Sequence, residues 1–392
     1  MQITETIRNF VNEHLNDDVR KLLLQKDKYP NIDIRFAVQQ IEGRRKALEK
    51  FPEIAKNEAF IYPQKEAMEQ CSSEYTARYK ASLIGNVIVA DLTGGLGIDS
   101  HYLAETNKKV FHIERNPELQ EIASHNFSVA GKNNIESICS DSIDFLENTE
   151  HSFDVIYIDP ARRDNLKKKV FLFQDCEPNI ITHKELFFDK AKKVLIKASP
   201  FLDISKAILE LGHISNVYIV SVKNECKEVL FEWVKTSVSP FQIHCVNINE
   251  STQVFSFSSD EEKTATVEYS NEVLKYLYEP NASIIKSGGF KTVGNKYNLR
   301  KLHPNSHLYT SNELIEGFFG RCLLVEDVFS LDKKTIEQKL PERKANVIVR
   351  NFPMTPDEIK KKFRILDGGN VYLYLSTMNN EKKIAIKATR IY

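Results

Sequence analysis

Val87–Gly97 reads VIVADLTGGLG, and this stretch decides the fold. Apolar residues run straight into Asp91, a glycine-rich turn follows, and a helical pattern begins after Gly97. An apolar run this short reads as a strand buried on both faces, the kind that builds parallel sheets. Glycines in the turn let its backbone approach a ligand closely.

Outward from this stretch, strand and helix patterns alternate, the signature of a doubly wound α/β sheet. Strands are predicted at Val87–Ala90, Val110–Ile113, Ile135–Cys139, Val155–Ile158 and Val194–Ala198. Asn116 is placed to cap a helix, with Pro117 at its first position and Gly131 at its end. Val217–Val222 and Val229–Val234 lie too close in sequence for a crossover, so an antiparallel hairpin is expected.

Residues 1–80 read as a helical region. Ile34, Val38, Ile41, Leu48 and Phe51 fall near a helical period, with Arg44, Arg45 and Lys46 on the polar side. In CSSEYTARYKA, Ser72 or Ser73 can cap a helix leading into the first strand, where it packs or helps to cover a ligand. Beyond residue 240 the alternation stops. QIHCVNI and QVFSFSS read as short strands. Residues 321–392 read as a small α+β unit, with Thr355 capping a helix and a hairpin at Val371–Ser376 and Lys383–Ala388. The expected domains are therefore 1–80, 81–240, 241–320 and 321–392.

The chain has 392 residues, enough for two or three cores. It is 42% hydrophobic and 28% charged, as globular proteins are. No apolar run is long enough to span a membrane, and MQITETIRNF does not resemble a signal peptide, so the cytoplasm is expected. Six scattered cysteines form no C-x-x-C pair, which argues for free thiols and against zinc ribbons or disulfides. No metal is expected. The 54 basic and 54 acidic residues cancel. Two stretches are locally basic: Arg162–Lys169, and residues 321–392 with fifteen Lys/Arg against nine Asp/Glu. A third stretch, Ile284–Arg300 and its surroundings, alternates Lys286, Lys291, Lys296, Arg300 and Lys301 with Phe290, Tyr297 and His303. Packing and a nucleic-acid surface are both open readings of it.

Open parallel sheets bind ligands at the carboxyl ends of their strands. Four acidic residues fall at four successive predicted ends. Asp91 enters the turn of Thr93, Gly94, Gly95 and Gly97, where an acid can hold an ammonium group. Glu114 follows 23 positions later, a spacing typical of an acid that receives ribose hydroxyls. Asp141, with Ser142 beside it, could accept from an adenine amine. Asp159 then opens Asp159-Pro160-Ala161-Arg162. A nicotinamide dinucleotide would call for G-x-G-x-x-G around a pyrophosphate. An acid at the mouth of that turn opposes a pyrophosphate electrostatically. S-adenosylmethionine (SAM) offers an amino acid, a ribose and an adenine in the matching order. Each acid taken alone is equally explained as a cap or strand-end residue.

Residues 86–200 resemble a class I SAM-dependent methyltransferase. DLTGGLG matches its first motif, Glu114 its ribose acid, Asp141 its adenine position and DPAR its fourth motif. With SSEYTARYKA and the tail FPMTPDEIKKKF…YLYLSTM, the whole chain resembles a bacterial methyltransferase family with a THUMP-like C-terminal domain preceded by a small ferredoxin-like domain. The resemblance implies a Rossmann-like seven-stranded sheet, a helical N-terminal region, SAM as cofactor and RNA as partner. It places the ferredoxin-like domain at 241–320 and the THUMP-like domain at 321–392. It gives catalytic roles to Asp159, Pro160 and Arg162, and cofactor contacts to Asp91, Thr93, Gly94, Gly95, Gly97, Glu114, Asp141 and Ser142.

The fourth motif departs from the Asp/Asn-Pro-Pro-aromatic form of amino-group methyltransferases, so stacking on a base must come from Arg162 or from elsewhere. No cysteine follows a proline at the fourth or fifth strand end, which speaks against pyrimidine C5 chemistry. A small-molecule or protein acceptor, and an RNA-binding protein without catalysis, remain alternatives.

Overall fold

The structure is a computed structural model, and residues 3–162, 172–236 and 238–392 are described. It divides into two compact units, Met1–Asn216 with Lys227–Ser239, and Val217–Cys226 with Pro240–Tyr392.

The first unit is built on strands β1 (Ile88–Asp91), β2 (Lys109–Glu114), β3 (Ile135–Cys139), β4 (Phe153–Ile158) and β5 (Ala191–Ala198). Two longer strands follow, β6 (Ile214–Val222) and β7 (Glu225–Val234). These seven run in the order β3-β2-β1-β4-β5-β7-β6, the expected doubly wound order, and form part of a sheet of nine strands. β1 pairs in parallel with β2 and β4, and β4 with β5, whereas β7 runs antiparallel to β5. Val89, Val110, Ile113, Ile156, Val194 and Ile196 are fully buried between the helix layers. Each contributes roughly 1.5–3 kcal/mol by leaving water. Parallel pairing brings the carboxyl ends of β1, β2, β4 and β5 to one rim.

Asn116 caps the helix Pro117–Val129 through the Glu118 and Leu119 amides, as expected. In the N-terminal region the long helix is Ile34–Lys50. Ala37 and Ala47 join Ile34, Val38 and Ile41 in its buried face, whereas Leu48 is 45% exposed, contrary to its place in the predicted stripe. Arg44 and Arg45 are not simply solvated: Arg44 bonds Asn12, and the Arg45 Nε donates to the Leu15 carbonyl at 2.6 Å. Ser73, not Ser72, caps the helix Glu74–Leu83.

In the second unit, the tip of the β6–β7 hairpin lies with β8 (Gln242–Ile248) and β9 (Thr252–Ser258). A seven-stranded sheet follows, built from β10 (Tyr276–Pro280), β11 (Arg300–Lys301), β12 (Tyr309–Ser311), β13 (Gly320–Phe329), β14 (Asn346–Arg350), β15 (Val371–Thr377) and β16 (Lys383–Arg390). Its order is β11-β12-β10-β13-β16-β15-β14. Thr355 caps the helix Pro356–Phe363 in a reciprocal box with Glu358. Within this sheet Glu279 is only 2% exposed. It accepts from Arg321 at 3.2 Å, from the Tyr374 hydroxyl at 2.8 Å and from Arg350.

The basic-aromatic stripe expected near residues 286–303 is thinned by folding. Lys301 and His303 are buried. The Lys301 ammonium lies 5.1 Å from the Phe290 ring centre and donates to the Pro304 carbonyl at 2.7 Å. Phe290 also stacks on His307, and Tyr297 on Phe255. Packing therefore engages at least four of the eight residues singled out there.

Candidate active site

β1 delivers the chain to Asp91, and the turn then folds back over the sheet end. The Leu92 amide donates to the Tyr157 carbonyl and the Gly94 amide to the Ile113 carbonyl, so the turn is laced to β4 and β2. Gly95 and Gly97 have φ of +55° and +81°, a region that glycine enters without steric cost. A Cβ on Gly94 would lie 2.3 Å from the His112 ring, and one on Gly97 would lie 2.4 Å from Phe127. The glycines are thus needed as much for the turn to lie flat on the protein as for access from the cleft side. Burial of His112 pushes its pKa down to about 4, so a neutral ring supports the turn.

A cleft of about 670 Å³ opens over this rim. It is lined by the turn Thr93–Gly97, by Glu114, Asp141, Ser142 and Asp159, and by residues 70–72 of the N-terminal region. The Glu114 carboxylate accepts from the Gly95 and Asn116 amides, both at 2.7 Å. Asp141 caps the helix Ser142–Asn148 through the Ile143 amide at 2.8 Å, which occupies one of its oxygens. The Asp159 amide donates to the Thr93 hydroxyl at 2.7 Å. The Asp159 carboxylate is ion-paired with Lys197, which stands at the end of β5.

Asp91 departs from its expected place. It is 1% exposed, lies under the turn and is not part of the cleft wall. Its carboxylate accepts from the Ser100 hydroxyl at 2.6 Å and from the Thr93 amide at 3.2 Å. Burial, with the charges of Asp99 and Asp159 adding to it, raises its pKa to about 7 against those two hydrogen bonds. This geometry makes Asp91 a brace for the turn and not an exposed partner for an ammonium group. Pro160 is likewise buried, and it is not in the cleft wall. The backbone of Ala161–Arg162 pairs with Cys176–Glu177, and Ala161, Glu177 and Pro178 complete one side of the cleft. The Arg162 side chain and the basic residues Arg163 and Lys167–Lys169 lie outside the described part of the chain.

A buried charge network supports the rim. Lys80 is fully buried, and its ammonium donates to both Glu228 oxygens at 2.9 and 3.0 Å and to the Ser72 hydroxyl at 3.1 Å. It also lies 3.2 Å from Asp99, which accepts from the Ser72 and Tyr157 hydroxyls, both at 2.8 Å. Burial would raise the Asp99 pKa, but the Lys80 and Lys197 charges and these hydrogen bonds bring it below the usual value. Burial alone would lower the Lys197 pKa. Asp159, Asp99 and Glu228 outweigh it and hold the ammonium charged.

None of Lys80, Asp99, Lys197 or Glu228 was picked out from the sequence. A signal existed for Lys197, a charge closing the apolar run Val194–Ala198 at a strand end. Glu228, which accepts two hydrogen bonds from Lys80, is far away in the chain and left no local trace. Among the described residues no group of His, Cys, Asp and Glu is arranged to hold a metal, and all six cysteines are free.

A family profile for a ferredoxin-like domain matches residues 276–318, and one for a THUMP-like domain matches residues 320–390. A candidate methyltransferase of known structure from Porphyromonas gingivalis W83 is 30% identical, with 100% of each chain covered and a TM-score of 0.89. A tRNA m1G37 methyltransferase from M. jannaschii is 15% identical over 43% of this chain and 52% of its own, with a TM-score of 0.30, a likeness too slight to carry weight. Comparison with curated proteins gives no match. Full-length likeness to the Porphyromonas protein, together with the two C-terminal profiles, places the chain in the family of methyltransferases that carry a THUMP-like domain.

Proposed function

We propose that the protein transfers a methyl group from SAM to a nucleotide in RNA, with the rim of β1, β2, β4 and β5 as its active site. The observation that carries this reading is the convergence of the glycine turn, Glu114, Asp141 and Asp159 on one cleft of about 670 Å³. That volume suits a cofactor-sized ligand. The chemistry of the wall suits SAM, because carboxylates complement hydroxyls, an amine and a sulfonium, and would repel a pyrophosphate. In this assignment the turn Gly94–Gly97 takes the amino-acid end, Glu114 the ribose, and Asp141 with Ser142 the adenine. Bound there, SAM supplies an electrophilic methyl group on a positively charged sulfur.

The protein's own contribution is alignment, which can supply most of the acceleration in a transfer of this kind. The Thr93 hydroxyl holds the Asp159 backbone, and Lys197 fixes the direction of the Asp159 carboxylate. Asp159 then orients the acceptor group and takes up its proton. Pro160 shapes the strand end, and Arg162 contacts the acceptor's phosphate or base. Asp91 acts from beneath by holding the turn. RNA as the acceptor is supported by the THUMP-like domain and by the Lys/Arg excess from residue 321 onward. We assign the cytoplasm as its location and place domain limits near residues 80, 240 and 320.

Calorimetric titration with SAM tests the site. Wild-type protein is expected to bind one equivalent, and Glu114→Ala at least about tenfold more weakly, the equivalent of 1.4 kcal/mol. Equal affinity of the two proteins would remove Glu114 from the assignment, and no binding to either would remove the cofactor.

A further inference from the structure

The second unit contains a cavity of about 550 Å³ that the methyl-transfer chemistry does not use. One part of its wall is the turn of the β6–β7 hairpin, where Lys223 and Asn224 have φ of +50° and +65°. Two such residues in succession suit a tight hairpin turn, and for lysine that conformation is unusual. The turn is held in place by the Lys223 amide donating to the Ile248 carbonyl and the Asn224 amide donating to the Asn247 Oδ1 at 3.1 Å.

Three asparagines of the wall have fixed orientations. The Asn224 Oδ1 accepts from the Ala282 amide at 2.9 Å, and the Asn281 Oδ1 from the Ser283 amide at 2.9 Å. The Asn247 Oδ1 accepts from the Asn224 amide. A backbone N–H can only donate, so each side chain must place its oxygen there and turn its NH2 the other way. Asn247 and Asn281 are 6% and 2% exposed, line the cavity, and have no partner for these NH2 groups among the described residues. The buried part of the wall therefore offers donors whose acceptor capacity is already used. Lys223 and Arg390 add positive charge, Tyr392 adds an aromatic face, and Glu316 is the acid in the wall.

A donor-rich, cationic wall selects an oxyanion. The cavity is far larger than a bare oxyanion needs, and its volume and aromatic face suit a ligand of nucleotide size. We propose that this cavity binds a nucleotide, with the phosphate on the Asn NH2 groups, Lys223 and Arg390, and the base against Tyr392. The site belongs to the second unit alone and stands independently of the SAM reading. Its ligand is either one nucleotide of an RNA strand or a free mononucleotide, since both present the same chemistry.

Calorimetry on the full chain tests this with uridine, UMP and a 5′-phosphorylated penta-uridylate. UMP or the penta-uridylate is expected to bind, with uridine at least about tenfold weaker than UMP. Tighter binding of the penta-uridylate than of UMP identifies an RNA strand as the ligand, and equal binding identifies a mononucleotide. Asn247→Asp keeps the acceptor that holds Asn224 and replaces the NH2 donor by an oxygen, so it should weaken UMP at least about tenfold. Lys223→Gln/Arg390→Gln, which leaves the asparagine hydrogen bonds untouched, should do the same. Binding of neither phosphate-bearing probe by wild-type protein would overturn the proposal, as would wild-type affinity in the double variant. A separate titration of wild-type protein with SAM reports on the other site, so the two failures are distinguishable.

Discussion

The backbone N–H of Asp159 donates to the Thr93 hydroxyl across 2.7 Å, which joins the glycine turn after β1 to the end of β4. In the proposed reaction the turn holds the methyl donor and Asp159 the acceptor, so this bond sets their spacing. Thr93→Val keeps the side-chain shape but leaves the Asp159 amide without its acceptor. It is expected to lower kcat at least about tenfold with a much smaller change in SAM affinity, and Thr93→Ser should restore the rate. A loss confined to SAM affinity would show that the bond serves only the cofactor side.

Lys80 is the cation on which Glu228 and Asp99 both depend. Lys80→Met leaves those carboxylates buried without their partner, and removing one member of such a group costs on the order of 3–5 kcal/mol. Urea denaturation of the variant should show that loss, and adding Glu228→Gln should recover part of it. A variant as stable as wild type would mean that water reaches the network.

Asp91 makes stability depend on pH in an unusual direction. Its folded pKa is about 7, raised from 3.8 mainly by burial, so the folded state holds a proton that the unfolded state releases. This contribution is complete below about pH 4 and is lost as the pH rises through 7. Within that window the wild type loses roughly 1 kcal/mol per pH unit relative to Asp91→Asn, which cannot titrate there. Paired urea melts at pH 4.5, 6 and 7.5 measure the difference. A constant gap between the two proteins would mean that folding does not raise the Asp91 pKa.

Glu114 accepts two backbone amides of the rim. Glu114→Gln can satisfy one with its remaining oxygen and turns a donor toward the other. SAM affinity should fall at least about tenfold while the melting temperature changes little, because Glu114 lies at the cleft surface. A large drop in melting temperature would make Glu114 a residue of the fold first.

Much of this framework was legible in the sequence because it is written locally. Val87–Ala90 declares a buried strand by composition, Asn116-Pro117 a helix start, and Thr355 with Glu358 a capping box; each appears in the structure within a residue or two. The candidate acids were found through their place after apolar runs, and three of the four line the cleft. Asp91 was misjudged because a strand-end position does not reveal which way a carboxylate turns, and Ser100, its partner, reads as an ordinary helix residue. Lys80 and Glu228 stand 148 positions apart, so only the fold could bring them together. The same holds for Asn224 and Asn247, whose fixed orientations depend on backbone groups from separate elements, whereas Asn281 is held locally as a helix cap by the Ser283 amide.

The most direct test is nucleoside mass spectrometry of RNA from cells with and without the gene, followed by treatment of the deficient RNA with purified protein and SAM. One methylated nucleoside should be missing from the deficient RNA and return on treatment with wild-type protein but not with Asp159→Ala. An identical set of methylated nucleosides in both cell types, with no methyl group transferred in vitro, would contradict RNA as the substrate.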